Sequence, residues 1–178
     1  MTYKQIIISV FAIVSFACNP KTEDMADNVK IENFKIIGIS INTTNQQGKA
    51  MSDMGQLWDN FYSQNILSAI PNKTSDDVYS LYTDYESDFK GGYTAIIGCR
   101  VNSLDSIPEG LIGREFKGGQ FEKYIAKGKM PDAVINKWQK IWDKDSEINR
   151  KYTVDFEVYG EKSQNPENPE VEIYIAVD

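Results

Sequence analysis

The sequence predicts an α+β fold, a duplicated unit of antiparallel strands with one helix per copy. Three observations predict it. Several segments alternate apolar and polar residues with a period of two, which places one set on each face of a strand. Two others carry apolar residues at helical spacing, and each sets a tryptophan, Trp58 or Trp138, among them. The segments run strand, helix, strand, strand, and then the same order starts again.

The 178 residues are enough for one domain with its own core. The first part of the chain reads as an address. Lys4 precedes IIISVFAIVSFA, an apolar run that ends at Cys18. That run is shorter than the roughly 20 residues a membrane-spanning helix needs, and it has the parts of a secretory signal. Val14-Ser15-Phe16-Ala17-Cys18 is similar to a bacterial lipoprotein signal, with Phe16 standing where a smaller or aliphatic residue is usual. The expectation is a signal over residues 1–18 with lipid on Cys18. An ordinary secretion signal and an uncleaved anchor are the alternatives. Each buried CH₂ of an acyl chain contributes about 0.8 kcal/mol, so several chains would hold the protein on a membrane surface. Residues 19–30 are polar and acidic and carry Pro20, the composition of a flexible tether. The folded domain is expected over residues 31–178, at the bacterial cell envelope on its periplasmic or outer face.

Each element follows from local pattern. Within residues 31–44 the run FKIIGISIN is a strand. Ser52 is a candidate N-cap for a helix with Met54, Leu57, Trp58 and Phe61 on one face, ended by Pro71 and Asn72. Residues 78–86 and 93–101 read as two strands, with Gly91 and Gly92 breaking the chain between them. A loop with Pro108 follows the first copy, residues 31–103. The second copy, residues 110–178, opens with a strand over 111–116 and 121–125. It is interrupted at Gly118-Gly119, where a bulge or bend is expected. Pro131 leads into a helix with Val134, Trp138, Ile141 and Trp142 on its apolar face. Two strands around a polar loop with Pro166 and Pro169 close the chain over residues 152–177.

The copies share a short match. Thr83-Asp84-Tyr85-Glu86-Ser87 aligns with Val154-Asp155-Phe156-Glu157-Val158. Neither copy has enough elements to bury both faces of its own sheet. Two copies packed about a pseudo-two-fold would share a core and leave a ligand cleft where they meet.

Composition excludes several function classes. The net charge is −7, from 19 basic and 26 acidic residues. That balance argues against non-specific nucleic-acid binding, which needs lysine and arginine to displace counterions. The chain has no histidine, so the commonest general base and metal ligand are missing. Cys18 and Cys99 cannot make a usual zinc site, and lipidation would consume the first. No metal and no cofactor are expected. Cys99, in an apolar strand, reads as a small buried hydrophobe. Ten tyrosines, eight phenylalanines and three tryptophans must pack in a core or around a ligand.

The chemistry concentrates in residues 152–159. Val154, Phe156 and Val158 alternate with Asp155, Glu157 and Tyr159. The second set is either a solvated row or a recessed anionic site. Tyr82, Asp84 and Glu86 share the parity of a second strand and could approach the same cleft.

YTDYES at 82–87, EFKGGQFEKYIAKG at 115–128, PDAVINKWQKIW at 131–142 and DFEVY with VEIYIAV at the end together carry a family likeness. They resemble the GyrI-like effector-binding domain, the ligand-binding module of AraC-type and MerR-type multidrug-sensing regulators. The resemblance covers residues 32–178. It implies a duplicated β-α-β-β fold and an aromatic pocket with a buried glutamate that faces cationic or amphipathic molecules. The position matching that glutamate is Glu157, and the matching aromatic neighbours are Tyr159, Tyr174 and Trp138. No helix-turn-helix pattern precedes residue 31, so small-molecule binding is carried over and transcription control and nucleic-acid contact are not. The expected partners are a small lipophilic cation and, through the anchor, a membrane. Two other readings use the same residues. Glu157 could assist hydrolysis of a small electrophile by water. The sheet could instead serve as an interaction surface on an envelope lipoprotein.

Overall fold

The computed structural model describes residues 25–178. The expected signal and the expected lipidation at Cys18 lie outside the described residues. The chain runs β1 (Asp27–Ile31), β2 (Phe34–Thr44), α1 (Lys49–Ser63), α2 (Ile66–Ala69), β3 (Lys73–Thr83), β4 (Gly92–Val101), β5 (Ile112–Phe116), β6 (Gly119–Lys127), α3 (Asp132–Asp143), β7 (Val154–Tyr159) and β8 (Glu170–Val177). The fold is α+β, as expected. Residues 27–30, expected in the tether, belong instead to a strand, because Asp27 to Ile31 pair with β6.

All eight strands form a single antiparallel sheet in the order β1-β6-β8-β7-β3-β4-β2-β5. Exchanging the halves, β1 with β5, β2 with β6, β3 with β7 and β4 with β8, reverses this order onto itself. The repeat is therefore real at the level of topology. Its centre is the β3–β7 pair.

Each half lends its first strand to the other. β1 pairs with β6, and β5 pairs with β2. The glycines expected to make a bulge within one strand instead mark this change of partner. At the crossing the Gly118 N–H donates to Asn33 Oδ1 at 2.9 Å. A Cβ on Gly118 would lie 2.0 Å from the Ile31 carbonyl oxygen, so only glycine lets the two chains pass this closely.

The helices lie on one face. α1 buries Leu57 and Phe61 against Ile37, Ile97 and Cys99 of the first half. α3 buries Val134, Trp138 and Ile141 against Val171, Ile173 and Ile175 of the second. The other face has no helix, yet Ile36, Leu81, Ile96, Phe121 and Phe156 are buried there. The sheet curls on itself and closes over them with rings, Phe34 stacked on Phe116 and Phe156 on Tyr174. Burying each such side chain contributes about 1.5–3 kcal/mol.

α1 starts three residues before the expected cap at Ser52. Gly48 takes a left-handed φ of +72°, and the side chains of Asn45 and Gln46 donate to the carbonyls of Phe89 and Lys90. This tertiary tie, rather than a local cap, sets where the helix begins.

Candidate functional site

The two central strands carry the site. Antiparallel register sets Ser80 opposite Glu157, Val78 opposite Tyr159 and Tyr82 opposite Asp155. Opposed residues share a face, and this is the face the helices cover. α1 brings Trp58 from the first half, and α3 brings Trp138 from the second.

Glu157 is 1% exposed. Three aromatic donors reach its carboxylate: Trp138 Nε1 at 2.5 Å, Tyr159 OH at 2.7 Å and Tyr82 OH at 2.9 Å. The rings interlock around it. Trp58 meets Tyr159 edge-on at 5.0 Å, and Tyr82 meets Trp138 edge-on at 5.3 Å. Tyr93 backs Tyr82 at 5.9 Å. Burial raises the Glu157 pKa, and its three hydrogen bonds act against that rise. Burial and then the charge of Glu157 push the Tyr93 hydroxyl up to about 12. Among the described residues no lysine or arginine forms an ion pair with Glu157.

Asp155 makes the contrast. It shares the face and is fully buried. Its carboxylate accepts from Arg150 Nη2 at 2.6 Å, from Tyr85 OH at 2.9 Å and from the Ala176 N–H at 2.9 Å. Arg150 also holds Asp145 at 2.9 Å, tying the segment before β7 to the sheet. Asp155 has its counter-ion within the fold, so it braces the structure.

Four of the residues expected at the site meet here: Glu157, Tyr159, Trp138 and Tyr82. Three do not. Tyr174 lies on the opposite face, because the β8 residue opposite Glu157 is Ile173 and Tyr174 is opposite Phe156. It stacks on Phe156 at 4.7 Å and donates to Glu172 at 2.7 Å. Asp84 and Glu86 are not on a strand, because β3 stops at Thr83 and Asp84 turns at φ +52°. Asp84 pairs with Arg114 at 2.6 Å, and Glu86 accepts from the Gly92 N–H at 3.1 Å. Both line an open cleft of about 540 Å³ that Tyr93 separates from the cage. The five-residue match between the halves is thus out of register, since Glu86 has no place equivalent to Glu157. The same turn aims Tyr85 inward at Asp155. Trp58 reads as core in the sequence, and its one signal as a wall residue is its place opposite Trp138 in the repeat. Nothing local marks Tyr93 or Arg150. No group of three or more metal-ligating side chains is found among the described residues.

Residues 29–177 match the family model described as Cass2, integron-associated effector binding protein. The chain belongs to the Cass2 family. Its fold is that of the GyrI-like effector-binding domains, and small-molecule binding is the function that membership implies. An integron cassette protein from the mobile metagenome of Vibrio cholerae is 34% identical, with 86% of this chain and 96% of that one covered and a TM-score of 0.66. The structure of SAV2435 bound to tetraphenylphosphonium is 17% identical, with 86% and 93% covered and a TM-score of 0.73. The YobU protein of Bacillus subtilis (strain 168) is 26% identical over 123 residues, 68% of this chain and 77% of YobU.

Proposed function

We propose that this Cass2-family chain binds lipophilic organic cations in the ring cage around Glu157. One observation carries the reading. Glu157 is a buried carboxylate held by three neutral donors and no cation, while Asp155 beside it has Arg150. A buried anion without a partner is costly. An organic cation supplies the missing charge, and each ring face adds about 0.5–2 kcal/mol of cation–π attraction. Flat rings tolerate ligands of different shape. The cage is closed, so a ligand must displace Trp138 or a tyrosine from Glu157 and take over its place. SAV2435, of the same fold, is a structure with such a cation bound.

The apolar run ending at Cys18 adds a location to this reading. A lipid on Cys18 would hold the domain at a membrane surface, where lipophilic cations concentrate, away from the chromosome.

The test is tetraphenylphosphonium binding, followed by quenching of tryptophan fluorescence. Glu157→Gln keeps the shape and an acceptor for Trp138 and Tyr82, turns the group facing Tyr159 into a donor and removes the charge. It is expected to weaken binding about tenfold or more while leaving the thermal transition cooperative. Equal affinity in the variant refutes the role given to Glu157.

A further inference from the structure

The helix-free face carries a second recess that the Glu157 cage does not use. Two adjoining cavities, about 180 and 420 Å³, share Phe34, Tyr79 and Arg100 in their walls. Rings close in the smaller one, where Phe156 lies between Tyr174 at 4.7 Å and Tyr79 at 6.1 Å. A cavity of about 150 Å³ accepts benzene, so this one has room for a single aromatic ring. The larger cavity is its mouth. It lies where β3 shifts register between Lys73 and Val78, and Thr74 there reaches the Arg100 carbonyl at 3.3 Å.

Arg100 stands in the wall common to both. Its guanidinium lies over the Phe34 ring, 5.5 Å from the centroid. The chain has three arginines. Arg114 and Arg150 each pair with aspartate, whereas Arg100 has no carboxylate at salt-bridge distance among the described residues. Two of the acids on the rim are engaged, Glu172 by Lys123 at 2.5 Å and Tyr174 at 2.7 Å, and Asp77 by the Ser75 hydroxyl at 2.9 Å, and a third, Glu115, lines the mouth.

We propose that this recess is a second binding site, for a small aromatic carboxylate. The ring fills the smaller cavity, against the wall that Phe34, Tyr79 and Phe156 form together, and the carboxylate lies on Arg100. A planar guanidinium meets a carboxylate with two parallel N–H donors, and its stacking on Phe34 holds that fork in place. The site takes the opposite charge from the Glu157 cage and lies on the opposite face. The two are back to back, since Phe156 and Glu157 are neighbours on β7.

Calorimetric titration of the full chain with benzoate, and with benzamide as its neutral analogue, tests this. Benzoate is expected to bind about tenfold or more tightly than benzamide, and Arg100→Gln to remove that difference. Glu157→Gln is expected to leave benzoate affinity unchanged, which separates this site from the cation cage. Amide NMR shifts caused by benzoate in the unmutated protein should cluster at Tyr79, Arg100 and Val158, a readout that does not depend on any variant folding. No benzoate binding, equal binding of the two probes, undiminished binding in Arg100→Gln, or shifts gathered elsewhere would overturn the proposal.

Discussion

Asp155 and Glu157 point the same way from β7, two residues apart, and differ in one partner. Arg150 neutralises the first, and hydroxyl and indole donors hold the second. Burial raises the Glu157 pKa from an ordinary value of 4.5, so the empty cage favours the neutral acid. The stability this group contributes is fully present below 4.5 and lost as pH rises through the raised value. A bound cation favours the ionised form, so its affinity should rise with pH over that window, with a proton released on binding. Calorimetry in two buffers of different ionisation enthalpy measures the proton directly. Asp155 is also shifted up by burial, so the difference between the parent and Glu157→Gln isolates Glu157. A pH profile that is identical in both proteins contradicts the linkage.

At the scale of elements, the short strands at the two crossings matter most. β1 and β5 each leave their own half, and the crossing is possible because residue 118 has no side chain. Gly118→Ala places a Cβ 2.0 Å from the Ile31 carbonyl, and backbone must move to admit it. The expected loss is about 1–3 kcal/mol, read as a lower urea midpoint. Gly119, with nothing near its would-be Cβ, is the control, and equal effects at both would mean the crossing is not tight. The end of β3 is the other decisive element. Its strand pattern continues to Glu86 in sequence, but the left-handed Asp84 turns the chain at Thr83. That single turn moves Asp84 and Glu86 out of the cage and brings Tyr85 in.

At the largest scale, the described residues form one sheet with a pseudo-two-fold at β3–β7, and the cage lies near that axis. One helix from each half contributes a tryptophan, so neither half alone could form it. The tie to a membrane proposed for residues 1–18 has a test of its own. Labelling cells with a fatty-acid analogue should mark the protein, and Cys18→Ser should lose both the label and recovery with membranes. Label that persists in Cys18→Ser would rule out Cys18 as the lipidated residue.

The sequence by itself determined the α+β class and the repeated order of elements. These are local properties, because period-two and helical spacing are written in consecutive residues. The family resemblance, and not spacing, singled out Glu157 from Asp155. The sequence could not assign Tyr174 to a face. In VEIYIAV the alternation groups Tyr174 with Glu172 and apart from Ile173 and Ile175, but it does not say which set faces the helices, and a one-residue choice of register reverses every side chain. Nor could it show that β1 and β5 change partners, since pairing is made between residues 74 to 96 positions apart in the chain. Only the tertiary structure decided which of two buried acids received an arginine. Arg150 is close to both in sequence, and the fold brings it to Asp155, leaving Glu157 among rings without a counter-ion.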